Sequence, residues 1–215
     1  SPKAALVLGG GDGGAARQLL KHPGIERIVV AELDAEVVRL IRKHLPEVHG
    51  GAFDDPRVEL VIGDAADYVV GAVAQFDLVV FDLTPPDSPA AGLYTPDFYM
   101  QLKRVMSPTS TLSLHLGSPY FHPERVAGLL DDLRDTFAIV RTMSTFIPLY
   151  GSLWMMATAS DTLDPAALTV EALAERLAAR RIGALKHYDP ALHAGLFSAS
   201  RSVRDKLSQF LKPSS

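Results

Sequence analysis

The 215-residue chain contains no cysteine. Disulfides, thiolate nucleophiles and cysteine-ligated zinc are therefore excluded. A cysteine-free composition fits a reducing compartment, and a cytoplasmic location is expected. Long apolar runs are also missing. None approaches the roughly 20 residues that a membrane helix requires, and no signal peptide is visible, so no membrane contact by this chain is expected. Positive charge is in short supply: 21 Lys and Arg face 25 Asp and Glu, for a formal net charge of −4. No Lys/Arg run or basic helix face stands out, which argues against a nucleic-acid partner. Internal repeats and low-complexity stretches are absent too. What the chain does have is 47% apolar and 21% charged residues, enough to bury a core and too apolar for a disordered segment.

Apolar runs alternate with helical patterns along the chain. Strands are expected at Ala4–Leu8, Arg27–Glu32, Val58–Ile62, Phe76–Phe81 and Thr111–Leu116, each nearly continuous, as strands covered on both faces should be. Helices are expected at Gly13–Lys21, at Ala35–Leu45 with Val37, Val38, Leu40, Ile41 and Leu45 on its buried side, and at Ala65–Val73, Thr95–Met106 and Pro123–Thr136. Thr95 suits an N-cap and Pro96 the first helical position. Phe137–Phe146 and Ser152–Ala159 read as an antiparallel pair that closes the sheet, with Trp154, Met155 and Met156 in its core. The pattern is α/β, a doubly wound and mostly parallel seven-stranded sheet. It forms one domain over 1–215: a nucleoside-binding core at 1–160 and a helical C-terminal extension at 161–215.

In such sheets ligands sit beyond the carboxyl ends of the strands, near the switch point. The first strand ends in Gly9-Gly10-Gly11-Asp12-Gly13-Gly14, so its glycine loop opens a helix. Glu32 ends the second strand, Asp64 follows the third and Asp82 follows the fourth. Any one of these carboxylates could be a helix cap or a surface charge. At successive strand ends they form an acidic rim, whose repulsion must be offset by donors or by a cationic ligand. Two ligand classes fit. Gly9-x-Gly11-x-x-Gly14 formally matches the dinucleotide fingerprint, but Asp12 would repel a pyrophosphate. A sulfonium nucleoside has ribose and adenine, lacks phosphate and carries positive charge, and the extra carboxylates favour it.

These motifs carry a resemblance. Val7–Gly14, Lys21-His22-Pro23, Glu32-Leu33-Asp34, Asp54-Asp55-Pro56-Arg57 and Gly63-Asp64-Ala65 are similar to the spermidine synthase family of polyamine aminopropyltransferases. So are Asp82-Leu83-Thr84, Leu93-Tyr94-Thr95-x-x-Phe98-Tyr99, Gly117-Ser118-Pro119, Pro148-Leu149-Tyr150 and Tyr188–His193, all in collinear order. The resemblance implies a Rossmann-like, class I methyltransferase-like fold. It also implies transfer of an aminopropyl group from decarboxylated S-adenosylmethionine to a di- or polyamine, with release of methylthioadenosine. Carried over residue by residue, Gly9, Gly11 and Gly13 would floor the donor site. Glu32 would hold the ribose hydroxyls, and Asp64 with Gly63 and Ala65 the adenine. Asp12 would face the aminopropyl amine. Asp82 would be the catalytic residue that receives the attacking amine, and Tyr150 would line the acceptor pocket. No metal and no tightly bound cofactor are expected, the donor being a co-substrate. The partners implied are a small-molecule amine and, by family resemblance, a second copy in a homodimer.

Two departures stand out. The family pattern Asp-x-Ser/Thr-Asp-Pro becomes Asp82-Leu83-Thr84-Pro85-Pro86-Asp87, so Pro85 replaces an acceptor-binding aspartate. Asp87 is the residue that would substitute for it. The family also has an N-terminal β-hairpin domain, whereas this sequence opens at Ser1-Pro2-Lys3. The chain is thus expected to be a fragment of a longer protein, the trimmed soluble part of a membrane-fused one, or a natural form without that domain. These departures keep two alternatives open: methyl transfer from S-adenosylmethionine to a small molecule, and a non-catalytic nucleoside-binding module of the same fold.

Overall fold

Strands that are apolar along their whole length need cover on both faces, and the fold supplies it. The structure is a computed structural model, which describes residues 1–86, 88–183 and 185–212. Ala4–Gly9 (β1), Gly14–Leu19 (α1), Arg27–Glu32 (β2), Ala35–His44 (α2), Pro46–His49 (α3), Val58–Ile62 (β3), Ala65–Gly71 (α4) and Phe76–Asp82 (β4) form the first half. Pro96–Lys103 (α5), Met106–Gly117 (β5), Pro123–Thr136 (α6), Ile139–Ile147 (β6) and Ser152–Ser160 (β7) form the second. Beyond β7 lie Val170–Ala179 (α7), His193–Leu196 (α8) and Arg201–Leu207 (α9), joined by irregular segments. None of the described helices is long and apolar enough to cross a membrane.

The seven strands run in the order β3-β2-β1-β4-β5-β7-β6. β1 pairs in parallel with β2 and β4, and β4 pairs in parallel with β5. β7 inserts antiparallel between β5 and β6. The order reverses between β1 and β4, and that switch point opens the crevice where ligands collect in open α/β sheets.

Strand alternation divides the core in two. Leu6, Leu8, Val79, Phe81, Leu112, Leu114 and Leu116 point to one face, beneath Phe98, Tyr99 and Leu102 of α5 and Val126, Leu130 and Leu133 of α6. Ala5, Val7, Ile28 and Val30 point to the other, beneath Ala16 and Leu19 of α1. Short polar side chains start the helices. The carboxylate of Asp34 accepts from the Glu36 amide at α2, that of Asp64 from the Ala66 amide at α4, and the Thr95 hydroxyl from the Phe98 amide at α5. Each satisfies a donor that the first helical turn leaves open.

Three expectations from the sequence need correction. In α2 only Val38 is buried, while Val37, Leu40 and Leu45 each expose more than a third of their surface. At 3.6 residues per turn Val37 and Leu40 turn away from the Val38–Ile41 stripe, and Leu45 leaves helical geometry at φ −135°. The helix expected to reach Met106 stops at Lys103, and the following strand starts at Met106 rather than Thr111. Turn bonds from the Arg104 and Val105 amides close α5, and Met106 then pairs with Phe76 across an irregular register. Trp154 and Met156 are half-buried, on the face opposite fully buried Met155.

Candidate active site

The glycine loop is built by close approach. Gly9 pairs with Asp82 across β1 and β4, at φ +78°. A Cβ on Gly9 would lie 2.3 Å from the Asp82 carbonyl oxygen, so only glycine fits both the left-handed backbone and the contact. The next amide, of Gly10, donates to that same carbonyl at 3.1 Å. Gly11 meets β2 in the same way. Its amide donates to Glu32 Oε2 at 2.9 Å, and a Cβ there would sit 2.7 Å from the carboxylate. The loop is thus pinned between the ends of β4 and β2.

Three carboxylates of the rim, those of Glu32, Asp12 and Asp64, are held by backbone donors. Glu32 Oε1 accepts from the Asp34 amide at 3.0 Å, so each of its oxygens holds one amide. A carboxylate offers about four acceptor sites, which leaves two for hydroxyl groups outside. Asp12 Oδ1 accepts from the Gly14 amide at 2.7 Å, and Gly13 is the N-cap residue of α1. Asp64 Oδ1 accepts from the Ala66 amide at 2.7 Å. The Gly63 amide donates to the Glu32 carbonyl at 2.9 Å, which sets the Gly63–Ala65 turn beside the end of β2. Ala65 is buried beneath it.

Asp82 is the electrostatic centre. Burial pushes its carboxyl above the ordinary range, the charge of Asp12 pushes it further and Glu32 adds to the rise, while His115 pulls it back. Four strand ends therefore share one field: β1 with Asp12, β2 with Glu32, β4 with Asp82 and β5 with His115. A site this acidic favours a cationic occupant, and it favours proton uptake at Asp82.

An aromatic wall adjoins the site through His115. Tyr150 lies in a 3₁₀ turn, Pro148–Tyr150, between β6 and β7. Its ring stacks on Trp154 at 4.1 Å between centroids, and Trp154 stacks on His115 at 6.0 Å. His115 Nε2 lies 2.6 Å from the Leu83 carbonyl oxygen. One residue further on, the Tyr94 hydroxyl donates to the Thr84 carbonyl at 3.1 Å. Asp87, the expected substitute for the missing acceptor aspartate, lies outside the described residues.

The expected residues Gly9, Gly11, Asp12, Glu32 and Asp82 therefore meet at one place. Gly63, Asp64 and Ala65 adjoin it beside Glu32, and Tyr150 stands on the aromatic wall. From sequence, Trp154 reads as core, and His115, at the end of the fifth strand, reads either as a residue pointing to the pocket or as a surface or capping residue, with the second preferred. The signal was present in Leu112-Ser113-Leu114-His115-Leu116. Its buried leucines alternate with a second face, and His115 occupies that face near the carboxyl end of β5.

Comparison with known proteins agrees with this geometry. Residues 1–169 match the spermine/spermidine synthase domain family. A polyamine aminopropyltransferase of Nitrosomonas europaea is 45% identical over 208 residues, which cover 97% of this chain and 64% of that protein. The chain thus spans somewhat less than two thirds of that relative's length. A second relative, polyamine aminopropyltransferase 2 of Hyperthermus butylicus, is 38% identical over 97% of this chain and 69% of its own. Among solved structures, a spermidine synthase in complex with the transition-state analogue AdoDATO superposes with a TM-score of 0.83. It is 28% identical and covers 97% of this chain and 68% of its own. Spermidine synthase from Thermotoga maritima gives a TM-score of 0.85 at 29% identity, covering 97% and 69% of the two chains.

Proposed function

Because the chain belongs to the spermine/spermidine synthase family, we propose that it transfers an aminopropyl group from decarboxylated S-adenosylmethionine to a di- or polyamine. The observation that carries this reading is the convergence of Asp12 and Glu32 on Asp82, whose carboxyl is pushed up by desolvation first and then by the charges of Asp12 and Glu32. A dicationic donor and a polyamine acceptor are the occupants that such a field favours.

In this reading Glu32 uses its two remaining acceptor positions for the ribose hydroxyls. Asp64, with the Gly63–Ala65 turn, takes the exocyclic amine of adenine. Leu33 and Ile62, both well exposed beside Glu32, offer apolar surface to the base. Asp12 holds the ammonium of the aminopropyl chain. The neutral acceptor amine attacks the carbon next to sulfur. A new C–N bond forms, the C–S bond breaks and its electron pair stays on sulfur. Methylthioadenosine leaves as a neutral thioether that needs no acid, and the proton shed by the attacking nitrogen passes to Asp82. The raised affinity of Asp82 for a proton suits it to that last role. Tyr150 flanks the acceptor. No resident cofactor enters this scheme. Residues 1–160 supply the nucleoside site and 161–215 an extension, in a cytoplasmic protein that pairs with a second copy.

The test is a product assay with the decarboxylated donor against putrescine, cadaverine, agmatine and spermidine. Amine-dependent release of methylthioadenosine is expected, and Asp82→Asn should lower it by about 10²- to 10⁴-fold. Binding of methylthioadenosine with no release under any amine would leave only the nucleoside-binding module.

A further inference from the structure

His115 is the titratable side chain at the site for which the reaction above has no use. It stands where β5 changes register against β7, between His115 and Gly117. Irregularities of this kind re-aim side chains at sheet ends. Its Nε2 contacts the Leu83 carbonyl at 2.6 Å. A carbonyl only accepts, so Nε2 carries the proton and donates. The bond spans 32 residues of sequence and ends on the carbonyl of Leu83, the residue that follows Asp82. The ring lies within 20° of parallel to Trp154, and Trp154 lies within 26° of parallel to Tyr150. One side chain therefore joins the strand end bearing the key carboxylate to a wall of three stacked rings.

We propose that His115 is a positioning residue for the acceptor half of the site, which fixes the distance between the Asp82 carboxylate and the Tyr150–Trp154 wall. The space between a carboxylate and aromatic faces suits an alkyl ammonium chain, whose charge is attracted to both. Fixing that width selects among amines by the length and thickness of the chain that fits. The kinetic consequence rests on the aminopropyltransferase reading. The mechanical one, that His115 restrains the peptide after Asp82, does not.

The experiment compares His115→Gln, whose amide keeps a donor for Leu83, with His115→Leu, which keeps bulk and removes the donor. Hydrogen exchange of the peptide containing Leu83 and Thr84 should be roughly tenfold faster in the leucine variant and near wild type in the glutamine variant. In the transfer assay kcat/KM for the amine should fall about tenfold in His115→Leu and stay within about threefold in His115→Gln. Methylthioadenosine affinity by calorimetry should change less than about twofold in either. If His115→Leu does not melt cooperatively, His115→Asn, whose amide stops short of Leu83, takes its place. Unchanged exchange and turnover in the donor-free variant would overturn the proposal, as would equal losses in the two variants. If the wild type turns over no amine, the functional reading fails, and exchange at Leu83 and Thr84 alone decides whether His115 is the restraint.

Discussion

Asp82 shows how one position can weaken the folded chain and serve its site. A carboxyl whose folded pKa is raised binds its proton more tightly in the folded than in the unfolded state. Stability from that proton is therefore present at low pH and lost as pH rises through the raised value. At neutral pH the ionised Asp82 works against folding. Asp82→Asn should then melt at a higher temperature than wild type near pH 7, with the gap closing below the ordinary carboxylate range, as thermal melts across pH would read. A gap that widened on acidification would reverse the assignment. Asp55 shows the opposite sign. Side-chain bonds from Arg57, with its backbone amide next, hold Asp55 down at about 2. Its half-buried pair with Arg57 contributes above the ordinary carboxylate range, and that contribution fades as pH falls toward the lowered value. Asp12, Glu32, Asp64 and Asp82 were readable from sequence because each sits at a strand end or within three residues of one. The Leu83–His115 bond was not readable. It joins positions far apart, and its aim depends on a register change that no local pattern announces.

At the scale of elements, the beginnings of helices were more legible than their ends. Thr95-Pro96 announces α5, and the hydroxyl does accept from the Phe98 amide at 3.3 Å. Thr95→Ala should cost about 1 kcal/mol, measurable as a shift in urea midpoint without a change in slope. No loss would mean that packing of Phe98, Tyr99 and Leu102 fixes the helix without its cap. The end of α5 had no comparable marker, because the apolar residues Val105 and Met106 serve equally as a last helical turn or as the start of β5. Pairing with Phe76 decides it, and that pairing is tertiary. α2 failed for a related reason. Its apolar residues are numerous enough to suggest a wide buried face, but the helix has a narrow one, and Val37 and Leu40 stay in solvent.

For the whole molecule, alternation of strands and helices was sufficient to give a doubly wound sheet with an antiparallel closing pair. The order β3-β2-β1-β4-β5-β7-β6 places the reversal beside the glycine loop, where the acidic residues had already pointed. The glycine-loop half of the candidate site was legible because it comes from consecutive strand ends of one half of the sheet. The half proposed to take the acceptor draws on β4, β5 and the turn before β7, and only the folded sheet brings these together. The aromatic wall has a practical consequence. Trp154 is the single tryptophan of the chain, and it stands between Tyr150 and His115. Excited at wavelengths that tyrosine does not absorb, the protein emits from one ring beside the space proposed for the acceptor. A diamine entering there should alter that emission in proportion to occupancy, whereas methylthioadenosine alone should leave it nearly unaltered. A titration in a fluorimeter would then read amine binding directly, with no label and before any turnover.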